Sequence, residues 1–561
     1  MLRVVALRSD PFRQLDWSAG LMTDEGFNIH NARNLILFGH VRTDEYNNML
    51  MSPLFHFAQV PIFKMFGVGA VQARLISVIC SLLTLLLLWM ALRRVFDSRI
   101  AFTAVALLGL DHTNLLYNRM ALMDTPAALL AVMAFYAFAR GATVERRAVS
   151  QNQKWPWFAV CGCLIALTVT VRIVSVYLLL VPFVALGPQL LRSRNAESAS
   201  SLRSWRRTSS SELISLSLGT LAVLLLYFLF WYWPHYAELS AMSHYYRARQ
   251  IPNSLLRLSM NVYDSLLGST RALADYLFRH SPIMFTLALL GLLVRRKTRA
   301  HSVEIYLVGW LLLGLGLLAV SSYSPSRYYV TTYPALAALA AISLWRLPEL
   351  YRRLEQRRRG ASILRAALTW FVFYHIVQLV LDHYGIRTRE WAQALLYAVP
   401  TVSSFLAFRT SILNHLVEPF RARVARPLPK VAILLISVWF VFNAYWLGRW
   451  IQGLEYTQYN MSQWLSQNVP PSSVLIGDVA PGVCLDNSFI AVYVEPKLWN
   501  DKLPIEAMGA RYPGATRYIV MDDRWKYRYW MVQYPDLVGP DRLIEKARVL
   551  NWDVGVYSVD R

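Results

Sequence analysis

Long apolar stretches alternate with short, mostly basic connections along most of the chain. Such runs occupy 71–92, 100–117, 125–138, 155–171, 173–191, 212–233, 281–294, 303–322, 328–344, 363–381, 391–408 and 431–450. Most approach the roughly 20 residues that a helix needs to cross the hydrocarbon core of a bilayer. Soluble cores interrupt their apolar runs sooner, so the pattern predicts an α-helical polytopic membrane protein of about twelve spans. From Gln452 onward the pattern changes. A helical period over 456–467 and short β-type runs at 474–476, 491–494, 518–521 and 554–559 predict a small α/β domain, with a helix expected over 543–549. The expected division is a transmembrane domain over 1–451, whose first outer loop is 14–70, followed by a domain over 452–561.

Composition agrees, with 56% hydrophobic and 16% charged residues and a mean hydropathy of +0.34. The net charge of +23 raises the question of nucleic acid. Its placement answers it. Lys and Arg collect at alternate ends of the apolar runs, as at Arg93-Arg94, Arg146-Arg147, Arg295-Arg296-Lys297, Arg357-Arg358-Arg359 and 421–430. That alternation is the positive-inside pattern, and it needs no polyanionic partner. It puts the segment 14–70, Arg119, Arg172 and the C-terminal domain on the extracytoplasmic face. Of the four cysteines, Cys80, Cys161 and Cys163 fall inside apolar runs, which leaves Cys484 alone on the outer side without an intramolecular disulfide partner.

Chemistry-bearing residues gather at the outer ends of the predicted spans. Asp24, Glu25, Asp44, Glu45, Asp111 and Asp124 form one set, and Arg42, Arg119, Arg172 and Arg327 the other. Ionisable groups near membrane depth cost desolvation energy and are functional candidates by default. Glycosyl transfer from a lipid phosphate requires such a pair of sets. A carboxylate takes the proton from an attacking hydroxyl, and cations stabilise the phosphate as it leaves. Plainer readings exist for each residue. Asp24 and Asp124 suit helix N-caps, Arg119 and Arg172 suit interfacial snorkelling, and Arg327 before Tyr328-Tyr329 suits an aromatic belt. Asp44-Glu45 repeats the Asp24-Glu25 pair within one loop, and composition alone does not separate them.

The order Asp24-Glu25-Gly26, Ala32-Arg33-Asn34, Phe38-Gly39, Ser52-Pro53-Leu54, Phe66-Gly67, Arg74-Leu75, Asn118-Arg119 through Asp124, then Arg327-Tyr328-Tyr329 with Pro334 resembles the family 39 and related C-type membrane glycosyltransferases. That family includes the dolichyl-phosphate-mannose protein mannosyltransferases and the lipid A aminoarabinose transferases. The resemblance runs over about 15–344. It implies the C-type fold and transfer of a monosaccharide from a polyprenyl-phosphate donor to a hydroxyl acceptor outside the membrane. It also implies Asp24 as the catalytic base in preference to Asp44, with Glu25 and Asp124 orienting acceptor or sugar. Arg327 would hold the donor phosphate, helped by Arg119, Arg172 and Tyr328. No cofactor is called for, no metal ligand set is visible, and a divalent cation stays open. Family members carry a helix ahead of the acidic segment, so the resemblance implies a sequence that starts internally and about thirteen spans in the full protein. The expected location is a prokaryotic plasma membrane. Two rivals stand beside this reading: a lipid or sugar transporter, whose charges would line a path at the bilayer midplane, and a non-catalytic scaffold that would tolerate loss of Asp24.

Overall fold

The structure, a computed structural model, describes residues 2–15, 21–44, 46–143, 154–194, 199–267, 281–293, 301–355, 370, 373–374, 377, 381, 390–409, 428–494, 504–523 and 527–560. Most of the expected span at 363–381 and the basic clusters at 146–147, 295–297, 357–359 and 421–427 lie outside the described residues.

Helices dominate the first 452 residues. The first two are α1 (Leu21–Phe38) and α2 (Pro53–Phe66). They lead into α3 (Ala70–Val95), α4 (Ser98–Leu110), α5 (His112–Tyr117), α6 (Asp124–Thr143), α7 (Trp155–Val171), α8 (Val181–Arg194) and α9 (Ala199–Tyr227). Then come α10 (Tyr236–Gln250), α11 (Leu255–Leu267), α12 (Pro282–Leu293), α13 (His301–Val320), α14 (Tyr333–Glu355), α15 (Glu390–Arg409) and α16 (Leu428–Gln452). Among the described residues five helical segments are long and apolar enough to span a bilayer: Ala70–Val95, Asp124–Thr143, Ser211–Tyr232, His301–Val320 and Ser326–Leu347. The shorter apolar helices Ser98–Leu110, Trp155–Val171 and Ile173–Gly187 accompany them.

The principal core joins α3, α4, α6, α7, α13 and α14 through residues such as Leu88, Phe135, Phe138, Phe158, Tyr306, Trp310 and Leu336. Small residues let its helices close up. A side chain at Gly162 of α7 would collide with the Leu216 carbonyl of α9, and one at Gly219 with the Ala159 carbonyl. Backbones approach this closely at small-residue crossings, which dominate helix packing in lipid. The Cys161-Gly162-Cys163 sequence therefore marks a helix crossing.

The segment expected as an outer loop is largely helical. In α1 the buried positions include Glu25, Asn28, His30, Asn31, Arg33 and Asn34. Polarity there reflects protein partners rather than water. Gly39, at φ 77°, stops α1, its amide bonding the Leu35 carbonyl, and Gly67, at φ 82°, does the same for α2. Left-handed backbone at a helix end favours glycine, which explains both motif glycines.

Beyond α17 (Thr457–Asn468) the chain forms a five-stranded sheet of β1 (Val474–Gly477), β2 (Ile490–Tyr493), β3 (Arg517–Asp522), β4 (Leu543–Val549) and β5 (Trp552–Ser558), in the order β2-β1-β3-β5-β4. β1 runs parallel to β2 and β3, while β5 is antiparallel to β3 and β4. The helix expected over 543–549 is thus strand β4. Glu545-Lys546-Ala547-Arg548 favours a helix locally, but pairing with β5 across the turn at Leu550 overrides that preference. Cys484, expected alone on the outer face, is fully buried in the core beside the sheet.

This C-terminal unit is seated on α1. Met22 belongs to its core, with Leu475, Val483 and Val520. Gly26 lies so close to the short helix α18 (Ala480–Val483) that a Cβ would sit 2.7 Å from the Gly482 nitrogen. Arg33 donates to the Asn487 and Phe489 carbonyls at 2.9 and 2.7 Å. Thr43 Oγ1 donates to the Ala491 carbonyl at 2.7 Å, and Asp44 accepts the Tyr493 amide at 2.7 Å.

Candidate active site

Four chain segments end around one aromatic ring. Asp24 stands in the first turn of α1, and Asp124 opens α6. Arg172 occupies the break after α7, where the backbone turns extended before the 3-10 helix Ile173–Leu179. Arg327 and Tyr328 sit in the 3-10 helix Ser326–Thr332, which precedes α14. Loose helix ends deliver side chains at angles a continuous helix cannot reach, and Pro325 and Pro334 flank the last segment.

The Arg327 guanidinium meets Asp24 Oδ2 at 3.0 Å and donates to the Tyr323 hydroxyl at 2.9 Å. Arg172 Nε donates to Asp124 Oδ1 at 2.8 Å. Both guanidinium groups lie against Tyr328, with central carbons 5.4 Å (Arg327) and 4.5 Å (Arg172) from the ring centroid. Two cations stacked on one ring repel each other, and each carries its own carboxylate to offset this. Asp124 is buried, at 2% exposure of its side chain, whereas Asp24 retains 23%. Asp24 is thus the more accessible of the two carboxylates.

The remaining expected site residues depart from their assigned roles. Glu25 has no exposed surface. Its carboxylate accepts two bonds from Arg74, through Nε at 2.8 Å and Nη2 at 2.5 Å, and a third from the Ala121 amide at 2.8 Å. Arg74 also donates to the Leu7 and Ser9 carbonyls. A buried carboxylate in bidentate contact with arginine is a structural clamp, so Glu25 orients the backbone of α1 and no substrate. Arg119, expected at the phosphate, donates instead to the carbonyls of Leu2, Val5 and Ala6 and stacks over Trp450 at 4.3 Å. Three of its hydrogen bonds thus go to the N-terminal turns. Asp44 is likewise internal, accepting the Tyr46 and Tyr493 amides and lying 3.3 Å from His30. Geometry thus separates Asp24 from Asp44, which composition left equivalent; Glu45 lies outside the described residues.

Sequence reasoning passed over Arg74, Tyr323 and Phe27. Arg74 was visible only as part of the Arg74-Leu75 pair, without a partner. Tyr323 stands four residues before Arg327, and Phe27 stands three after Asp24, a helical spacing that places it on the same face. Among the described residues no three His, Cys, Asp or Glu side chains gather as cation ligands.

Comparison with known proteins gives a consistent picture. Residues 51–233 match the family model described as dolichyl-phosphate-mannose-protein mannosyltransferase, a stretch that contains Asp124 and Arg172 but neither Asp24 nor Arg327. No curated protein matches the chain. Among solved structures, ArnT from Cupriavidus metallidurans bound to undecaprenyl phosphate is similar over 99% of this chain and 96% of its own, at a TM-score of 0.57 and 16% identity. The apo state of the same protein matches over 95% and 93%, at a TM-score of 0.53 and 16% identity. The resemblance carried by the motif order is borne out, and the chain has the fold of a C-type integral membrane glycosyltransferase.

Proposed function

We propose that the protein is a glycosyltransferase that moves a monosaccharide from a polyprenyl-phosphate donor to a hydroxyl acceptor at the extracytoplasmic face of a prokaryotic plasma membrane. The observation that carries this reading is the Asp24–Arg327 pair, joined to Arg172 and Asp124 around Tyr328. In it one carboxylate is partly exposed, and two guanidinium groups lie against the same ring. Family similarity over 51–233 and the undecaprenyl phosphate of the similar ArnT structure support the donor class.

In this reading the donor phosphate enters between Arg327 and Arg172. It competes with Asp24 for the Arg327 guanidinium, because the donor phosphodiester is itself an anion and gains a second charge as the sugar leaves. Asp24 is thereby released to accept a proton. The acceptor hydroxyl gives up its proton to Asp24 as its oxygen attacks the anomeric carbon, and the bond from that carbon to the phosphate oxygen breaks on the opposite face. The configuration inverts. A phosphate leaves as a stable anion, so no general acid is required, and the two arginines stabilise the charge that builds on it. Asp124 and the Tyr328 ring hold Arg172 in place while Arg327 exchanges partners. The transmembrane domain over 1–451 would supply these residues, and 452–561 would form a domain on the same face.

The test is release of sugar from a panel of polyprenyl-phosphate monosaccharides by the purified full chain in detergent. Wild-type protein should turn over at least one donor. Loss of a general base costs roughly 10²–10⁴ in rate, so Asp24→Asn should fall by that much per folded molecule. Undiminished turnover by Asp24→Asn would remove the base from the mechanism. Failure of wild-type protein with every donor would return the weight to transport or scaffolding.

A further inference from the structure

From Met22 to Asn34, helix α1 is enclosed on almost every side. Only Asp24 and Phe27 among these residues keep partial exposure. They are three apart, and therefore neighbours on one face of the helix. The surface that this stretch of α1 offers to an incoming molecule thus consists of one carboxylate and one benzyl ring.

The ring is fixed from behind. Phe27 packs against Tyr493 at a centroid distance of 4.4 Å and 62°, and against Tyr46 at 5.2 Å and 54°. Tyr46 and Tyr493 contact each other at 4.8 Å and 66°. All three contacts are tilted or edge-on, the arrangement that the ring quadrupole favours. Both tyrosines are buried, at 3% and 2% exposure, so the triad is a wall with a single open member. Tyr493 comes from the end of strand β2, and Asp44 ties its amide and that of Tyr46 to the two oxygens of one carboxylate. The C-terminal sheet therefore builds part of this wall.

A partly exposed aromatic ring packed from behind and set beside a carboxylate suits one kind of ligand. A pyranose presents one face of C–H groups, which loses little on leaving water, and an equatorial rim of hydroxyls that needs polar partners. We infer that Phe27, backed by Tyr46 and Tyr493, is a stacking platform for a pyranose ring next to Asp24. This inference rests on the proposed glycosyl transfer. The ring belongs either to the donor sugar or to a saccharide acceptor, since both present the same C–H face.

Two measurements on the purified full chain distinguish these sources. The first is equilibrium binding of a turned-over polyprenyl-phosphate monosaccharide and of bare polyprenyl phosphate to wild type, Phe27→Ala, Phe27→Leu and Phe27→Trp. The second is the acceptor KM of the same four proteins. Phe27→Leu keeps apolar volume without the ring, which guards against a simple packing defect, and melting temperatures are compared alongside.

An aromatic contact is worth enough to change affinity roughly threefold to tenfold. If the platform holds the donor sugar, Ala and Leu lose that factor for the glycosylated lipid and nothing for the bare one, and Trp restores it. If it holds the acceptor, donor binding is unchanged and the acceptor KM rises by the same factor. Equal losses for both lipids, or no change in either measurement with an active wild type, would overturn the platform while leaving the transferase intact. A wild type that binds no glycosylated lipid and releases no sugar would remove the transferase reading, and the platform with it.

Discussion

Asp24, in the first helix, and Arg327, just ahead of α14, lie far apart in the sequence and meet at 3.0 Å. The arginine is almost fully enclosed, and the carboxylate is partly open. A base paired with a cation is a poor proton acceptor until the cation finds another anion. In the proposed mechanism the ion pair therefore holds the base in check until a phosphate arrives.

Arg327→Ala should weaken the donor more than the chemistry. The donor KM is expected to rise about tenfold to a hundredfold, in line with the loss of a charge-assisted hydrogen bond, and the affinity for bare polyprenyl phosphate should fall in parallel. Titration with the two lipids checks this. A change confined to kcat would place Arg327 outside phosphate binding.

Arg172→Lys keeps the charge but loses the planar group that both spans Asp124 and lies on Tyr328. We expect kcat/KM to drop about tenfold or more with little change in the melting temperature. Full activity in the lysine variant would mean that only charge matters at this position.

Glu25→Gln and Arg119→Ala should behave as stability mutants. Removing one partner of a buried ion pair costs about 3–5 kcal/mol, so Glu25→Gln should melt well below wild type in detergent. Arg119→Ala should loosen the N-terminal turns without changing the donor KM of the folded fraction. An altered KM in Arg119→Ala would restore it to the phosphate site.

Gly162→Val should fail at the level of folding. Its side chain would occupy the position of the Leu216 carbonyl, an overpacking worth about 3 kcal/mol or more. Yield of monodisperse protein after extraction is the measure. Normal yield would mean that α7 and α9 separate readily.

Much of this architecture is legible in the sequence. Run lengths give the spanning helices at 71–92, 125–138 and 303–322, and the break at Gln452 gives the sheet, because bilayer thickness and strand alternation act on neighbours along the chain. Asp24, Asp124, Arg172, Arg327 and Tyr328 were legible as a set, and the structure brings all five together. Glu25 and Arg119 were misread for a shared reason. Their partners, Arg74 in one case and the carbonyls of Leu2, Val5 and Ala6 in the other, lie far off in sequence, and nothing local tells a saturated ion from an available one. Helix α1 read as a loop because its asparagines, histidine and arginine suggest solvent, whereas each is buried against protein. Strand β4 read as a helix because its pairing with β5 is tertiary.

Met22 lies in the core of a sheet whose strands are synthesised after the membrane helices. During biosynthesis α1 leaves the ribosome early and has nothing to close its exposed flank until more than 400 further residues have followed, with α18 and β2 among the last to arrive. A nascent or prematurely terminated chain can insert its spanning helices and still lack a seated Asp24. On the proposed function, activity would depend on synthesis of α18 and β2, and a product ending ahead of them would be inert toward lipid-linked sugar.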